Sequence, residues 1–212
     1  MTVARPTARR DVSGSPSLRL VLRPILLVAA LFVAVALRVD MDHLTLPAMS
    51  VDVLFAAALM ALAVRAGWRP SGLARPGWRA RLRPSSVALG IGSGLVLVLI
   101  AEVFRPYPAL DLVTHPQWFP AWAGVTVLVA TGEEVFLRGA LFDACRDLGG
   151  LPLAIGATTV AFALIHVPFY GWHVVPLDLG VGLLFAGLRL VSGGVAAPAI
   201  AHTVADLATW WM

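Results

Sequence analysis

The sequence predicts an all-α fold, a polytopic membrane helical bundle of about seven transmembrane helices with its N-terminus in the cytoplasm, and three observations predict it. First, 59% of the 212 residues are hydrophobic and 13% charged, with a mean hydropathy of +0.85, far from the composition of a soluble domain. Second, seven apolar segments, at about 20–37, 50–65, 86–104, 120–147, 151–167, 174–190 and 195–211, each approach the ~20 residues needed to cross the hydrocarbon core. Third, when Arg138 is set aside as intramembrane, thirteen arginines fall on one set of alternating connections and two, Arg38 and Arg105, on the other. Excess arginine marks the cytoplasmic side.

The net charge of +4 comes from 16 Arg and no Lys against 12 acidic residues. These arginines flank apolar segments, so they orient the chain in a lipid bilayer and make no nucleic-acid face. Exclusive use of Arg fits a GC-rich bacterial genome. The single cysteine, Cys145, rules out an internal disulfide framework.

Residues 1–18 are polar and lack apolar periodicity, which predicts a disordered cytoplasmic tail. Its Arg9-Arg10 pair and the following apolar run have the ingredients of a secretion signal. Six further apolar segments make a retained first span the better reading. Residues 19–212 form a single membrane domain: 19–105 are scaffold helices, and 120–211 hold the polar residues that could carry chemistry. Within the scaffold region the stretch 65–84, with six arginines, Trp68 and Trp78, reads as a cytoplasmic loop.

Two of the three glutamates in the chain are adjacent, in Thr131-Gly132-Glu133-Glu134-Val135-Phe136-Leu137-Arg138. An ionisable residue at membrane depth costs about 2.5 to 3.5 kcal/mol on insertion scales, so such a group is a functional candidate. Glu134 and Arg138 are spaced i, i+4 and can pair on one helix face. Glu133 then points about 100° away. One carboxylate is held ionised by the arginine and its neighbour is less compensated, the division that acid-base chemistry uses.

Phe162 and His166 repeat the i, i+4 spacing on the fifth segment, which Val167-Pro168 ends. On the seventh, His202 and Asp206 share a face, suited to two metal ligands or to a histidine oriented by a carboxylate. Taken singly, each set has a packing explanation: a buried ion pair, a core histidine, a helix-joining hydrogen bond. Elsewhere, Asp40, Asp42, His43, Asp111 and His115 fall in loops, His173 follows span five, and Asp178 and Glu102 are placed near the solvated outer surface.

Glu133-Glu134-x-x-x-Arg138, Phe162-x-x-x-His166 and His202-x-x-x-Asp206, in that order on successive membrane helices, resemble the three motifs of the CPBP family, the CAAX prenyl endopeptidase and bacteriocin-processing intramembrane proteases. The resemblance covers about residues 120–211. It implies an intramembrane endopeptidase acting on a peptide or a membrane-protein segment, at home in the cell membrane. By that analogy Glu133 with His166 activates a water, Glu134 and Arg138 support the site or contact substrate, and His202 and Asp206 stabilise the oxyanion. The family's last position is often Asn; Asp here is an accepted variant. Members have been described as metalloproteases and as glutamate-type enzymes, so Glu133, His166, His202 and Asp206 are also possible ligands of a divalent metal such as Zn²⁺. Two other readings use the same cluster: a transporter or proton relay, and a non-catalytic membrane partner or immunity protein.

A depth comparison adds one structural expectation. Counted at about 1.5 Å per residue, Glu133 and His166 lie roughly 21 and 22 Å from the inner ends of their helices, but His202 lies only about 10 Å from Val195. The seventh segment must therefore begin deep, through a broken or re-entrant entry at Ser192-Gly193-Gly194. A shared site requires His202 within about 8 Å of Glu133, the reach of side chains on packed helices.

Overall fold

The computed structural model describes residues 17–41, 47–68, 83–103 and 118–212. The expected N-terminal tail, most of the arginine-rich loop, and Asp42, His43, Asp111 and His115 lie outside these. Every described element is helical: α1 (Leu18–Met41), α2 (Ala48–Arg65), α3 (Pro84–Val103), α4 (Phe119–Glu134), a π-helix (Val135–Leu141), α5 (Phe142–Tyr170), α6 (Val175–Ser192) and α7 (Ala196–Ala208), with short 3₁₀ turns at Trp172–Val174 and Thr209–Trp211.

Five stretches among the described residues are long and apolar enough to cross a membrane, and the chain is a multi-pass membrane protein. One of them, Phe119–Tyr170, has 52 residues, which at 1.5 Å per residue would extend about 78 Å, more than twice the ~30 Å core. It is two spans joined at Gly149 (φ −135°) and Gly150 (φ 76°, ψ −167°). Gly150 has no Cβ to oppose that backbone, and Pro152 restarts the helix.

The expected count of seven spans is not reached. Helix α7 has 13 residues, about 20 Å of helix, and falls short of the hydrocarbon thickness. Its entry is the turn anticipated at Ser192-Gly193-Gly194. Gly193 closes α6 in the left-handed region (φ 68°), and the Ser192 hydroxyl lies 2.7 Å from the Leu188 carbonyl and 3.1 Å from that of Gly194. Helix α5 also differs from expectation, because Pro168 does not end it. The helix runs one turn further and stops at Gly171 (φ 84°), whose N–H donates to the Val167 carbonyl at 2.8 Å. Proline removes one donor near the end of the helix, and the glycine supplies the stop.

The centre of the bundle is the pair of spans formed by α4, the π-helix and α5, against which α1, α2, α6 and α7 pack. Leu31, Leu59, Phe136, Leu141, Phe142 and Phe185 fill its core. Outward faces such as Ile25, Leu26 and Val33 on α1, and Leu95 and Leu99 on α3, are exposed and apolar, as lipid contact requires. Because lipid is as apolar as leucine, helices associate in it through close packing of small residues. Helix α3 meets α7 in this way. A Cβ on Gly90 would stand 2.8 Å from the Ala197 carbonyl oxygen, and one on Gly94 would stand 2.6 Å from Val204 Cβ.

Gly94→Ala should therefore destabilise the bundle by about 1–3 kcal/mol, the usual penalty for overpacking, read as a lower thermal midpoint in detergent. Gly92→Ala, where a Cβ meets nothing within 4 Å, should leave the midpoint unchanged. Equal midpoints for the two variants would show that α3 does not depend on this contact.

Candidate active site

The adjacent glutamates occupy the last turn of α4, immediately before the π-helix. Arg138 Nη1 donates to Glu134 Oε1 at 2.8 Å, with both side chains fully buried. The other terminal nitrogen, Nη2, donates to the Gly182 carbonyl at 3.1 Å, and the guanidinium lies over the rings of Phe162 and Phe185 at 4.7 and 5.3 Å. Gly182 is small for a reason: a Cβ there would stand 3.2 Å from the backbone of Thr159.

The π-helix was not visible in the periodicity. A π turn breaks the i→i−4 hydrogen-bond ladder and is often found at functional sites. Here Arg189 Nε donates to the Arg138 carbonyl at 2.9 Å, and its Nη2 lies 3.5 Å from Asp143. An arginine that sequence counting assigned only to membrane orientation thus also buttresses the glutamate-bearing turn.

His202 lies between three carboxylates. Its Nδ1 is 3.2 Å from Glu134 Oε1, and its Nε2 is 3.9 Å from Glu133 and 3.4 Å from Asp206. The 3.9 Å separation is well inside the limit set for a shared site. Because Glu134 also accepts from Arg138, its oxygen receives the Nδ1–H of His202 and fixes the ring. His166 is fixed differently. Its Nδ1 donates to the Phe162 carbonyl at 2.8 Å; a carbonyl can only accept, so in the neutral ring the lone pair is on Nε2. The Phe162 ring packs edge-on to this imidazole at 4.6 Å, as the spacing predicts.

One ligating atom from each of Glu133, His166 and His202 lies within 4.8 Å of the others. These three, with Glu134, Arg138 and Asp206, are the six residues singled out from the sequence, and the fold brings all of them together. Glu133 is 4% and His202 5% exposed, whereas the Asp206 side chain is 41% exposed, inside a cavity of about 260 Å³ that Glu133, His166 and Asp206 also line.

Several residues at the site have no motif to announce them. Asp178, placed near the outer surface by its early position in α6, instead lies 3.7 Å from His166 Nδ1 and is only 16% exposed. Tyr170 stacks on His166 at 6.0 Å and lines the cavity because α5 continues past Pro168. Arg38 and Asp52, from helices read as scaffold, line the cavity mouth as a 2.7 Å ion pair. Arg38 lies between the rings of Phe55 and Phe169. His173 is exposed beyond the site.

The donor set fits a divalent metal. Two imidazole nitrogens and one carboxylate with an open side toward the cavity match the three-ligand pattern of hydrolytic zinc sites. In each histidine the other ring nitrogen is held, by a carbonyl for His166 and a carboxylate for His202, as ligating histidines usually are. Asp206 stands beside this trio, against His202. Charge balance points the same way: Glu133, Glu134, Asp178 and Asp206 outnumber Arg138, and a surplus of anions in a low dielectric calls for protons or a cation.

Fold and site together define a class: a multi-pass membrane protein with an acid-base cluster buried inside its helical bundle. Residues 115–208 match the family model of the type II CAAX prenyl endopeptidases, Rce1-like. The match takes in all three motifs and agrees with the resemblance to CPBP proteases; the family is one of intramembrane peptidases. No curated protein and no solved structure matches the chain.

Breaking a fully buried ion pair leaves one charge uncompensated, which costs about 3–5 kcal/mol. Arg138→Met should accordingly lower the thermal midpoint in detergent far more than Glu133→Gln. Adding Glu134→Gln to Arg138→Met should recover part of the loss; a double variant no better than Arg138→Met would show that the pair is not the stabilising unit.

Proposed function

We propose that the chain is an intramembrane endopeptidase in which Glu133 and His166 activate water against a peptide bond held in the cavity. The observation that carries this reading is the convergence of Glu133, His166 and His202, the first two of which line a cavity with both hydrophobic and polar walls. Its substrate is a peptide or membrane-protein segment able to reach that depth.

The water sits between the Glu133 carboxylate and the bare Nε2 of His166. As its oxygen attacks the carbonyl carbon, the departing proton passes to Glu133, which afterwards delivers it to the nitrogen of the breaking bond. Such acid-base assistance contributes about 10²–10⁴ in rate. His202, held at Nδ1 by Glu134, presents Nε2–H to the developing oxyanion. Asp206 is an acceptor when ionised and cannot itself donate to that oxyanion; it acts through His202, 3.4 Å away, by orienting the ring. Arg138 and Glu134 fix the orientation from which this follows.

Glu133, His166 and His202 are the residues that would hold a divalent cation, which when bound lowers the pKa of water and polarises the carbonyl. In that form the Nε2 atoms of both histidines and the Glu133 carboxylate would serve as ligands in place of the roles given above, while Glu134 and the Phe162 carbonyl orient both rings in either case.

Purified protein in detergent should cleave candidate membrane peptides, and Glu133→Gln should reduce that cleavage at least ~100-fold with an unchanged thermal midpoint. Cleavage retained in Glu133→Gln would remove it as the base. A chelator that abolishes wild-type activity, restored by Zn²⁺, would assign the metal form. A transporter would instead move ions across liposomes without releasing peptide fragments.

A further inference from the structure

The two ends of the bundle differ in chemistry, and each is built from helix termini that touch one another. At one end Arg23 of α1 lies 3.3 Å from Asp147 and donates to the Ala66 carbonyl beyond α2. Arg65, Arg83 and Arg146 belong to this end by chain alternation, and Arg189 reaches Asp143 there. The other end joins the close of α1, the start of α2 and the close of α5, through the Arg38–Asp52 pair and the 4.5 Å approach of Arg38 to the Phe169 ring.

The cavity runs from Glu133 toward the second end. Arg38, Met49, Asp52, Trp122, Tyr170 and Thr209 line it, each within a few turns of the terminus of its helix on that side. His166 is four residues from the end of α5, about 6 Å by helical rise. Beside the cavity stands an aromatic cluster. Trp122 meets Trp210 at 4.8 Å, and Phe119 meets Trp210 and Trp211 at 5.2 and 5.4 Å. Tryptophans collect at the headgroup level of a bilayer, so this cluster sets the mouth at the membrane surface.

Counted along the sequence by alternation of the apolar segments, thirteen of the fifteen arginines other than Arg138 fall in connections assigned to the opposite side. Of the other two, Arg38 is paired with Asp52 in the cavity wall, and Arg105 is assigned to this side by sequence order alone. An asymmetry of this size fixes orientation with the arginine-rich end in the cytoplasm.

We propose that the cavity opens on the extracytoplasmic face, and that the protein takes peptide segments presented from outside the cell or from the outer leaflet. The substrate class rests on the peptidase reading above; the sidedness of the cavity rests on geometry and arginine placement alone. A substrate would thus be exported, or already spanning the membrane, before its bond reaches Glu133.

Two single-cysteine additions test the orientation in sealed right-side-out vesicles treated with a membrane-impermeant maleimide, with the buried Cys145 as the background. Ser50→Cys stands exposed at the cavity end and Ser85→Cys exposed at the other. Ser50→Cys should label at least tenfold more than Ser85→Cys, and Ser85→Cys only after the vesicles are opened. The reverse pattern, or equal labelling, overturns the proposal. If Ser50→Cys stays silent even in opened vesicles, Ser85→Cys decides alone: labelling in sealed vesicles overturns the proposal, and labelling only on opening supports it.

An impermeant peptide cleaved by the detergent-solubilised protein should be cleaved by right-side-out vesicles and spared by inside-out ones; cleavage only by inside-out vesicles also overturns the proposal. No cleavage in any preparation would reject the peptidase reading and leave the labelling result standing.

Discussion

The contact between Glu134 Oε1 and Arg138 Nη1, 2.8 Å long and sealed from solvent, constrains nearly everything around it. A buried charge has to be compensated on every side, because the desolvation penalty of each ion is several kcal/mol. Arg138 meets that demand with Glu134, the Gly182 carbonyl on α6 and the ring faces of Phe162 and Phe185. Glu134 in turn takes the Nδ1–H of His202 on α7. One ion pair therefore ties the central helix to α6 and α7 and sets the angle of a histidine at the reactive centre. Packing and site geometry share the same atoms, which is why Glu134 cannot be replaced without disturbing the other elements.

The same contact separates two residues that the sequence makes neighbours. Glu134 faces an arginine and a histidine and has no access to the cavity, while Glu133 lines it. Adjacent carboxylates with such different surroundings are the arrangement by which one fold supplies both a fixed anion and a proton carrier. The π-helix that starts at Val135 keeps Arg138 within reach of Glu134 while the chain continues toward Asp143, and Arg189 takes the Arg138 carbonyl. The turn at Ser192–Gly194 solves the corresponding problem for α7, bringing His202 to the depth of Glu133 without a full-length helix beneath it.

Much of this was legible because intramembrane charge is costly and therefore informative. Glu133, Glu134, Arg138, His166, His202 and Asp206 stood out against apolar segments, helical spacing paired them, and a depth comparison located the odd entry of α7. Glycine and proline marked the break at Gly149–Gly150. Other features left no such trace. A π turn is one inserted residue of hydrogen-bond register, and Val135–Leu141 has nothing in its composition to distinguish it from α-helix. Pro168 reads as a terminator, yet α5 ends at Gly171, so Tyr170 was hidden. Asp178 looked solvated because position along a helix says nothing about which face it occupies. Arg38 and Asp52 belonged to helices without motifs, and only tertiary packing turned them toward the cavity. The count of seven spans failed at α7 because an apolar segment reveals its composition and not how deep it starts.

The aspartate at position 206 follows from the same economy of charge. An Asn there could donate to an oxyanion; an ionised Asp cannot. In this chain its Oδ2 lies 3.4 Å from His202 Nε2, where a carboxylate is the better partner for a charged imidazole than an amide would be. It also adds a fourth anion, with Glu133, Glu134 and Asp178, to a site that has Arg138 as its only arginine in contact with Glu134 among the described residues. A site so weighted holds protons or a cation more firmly than one ending in Asn. In the proposed mechanism an aspartate here would leave hydrogen-bond donation to His202 and strengthen the pull on the positive charge that completes the cluster.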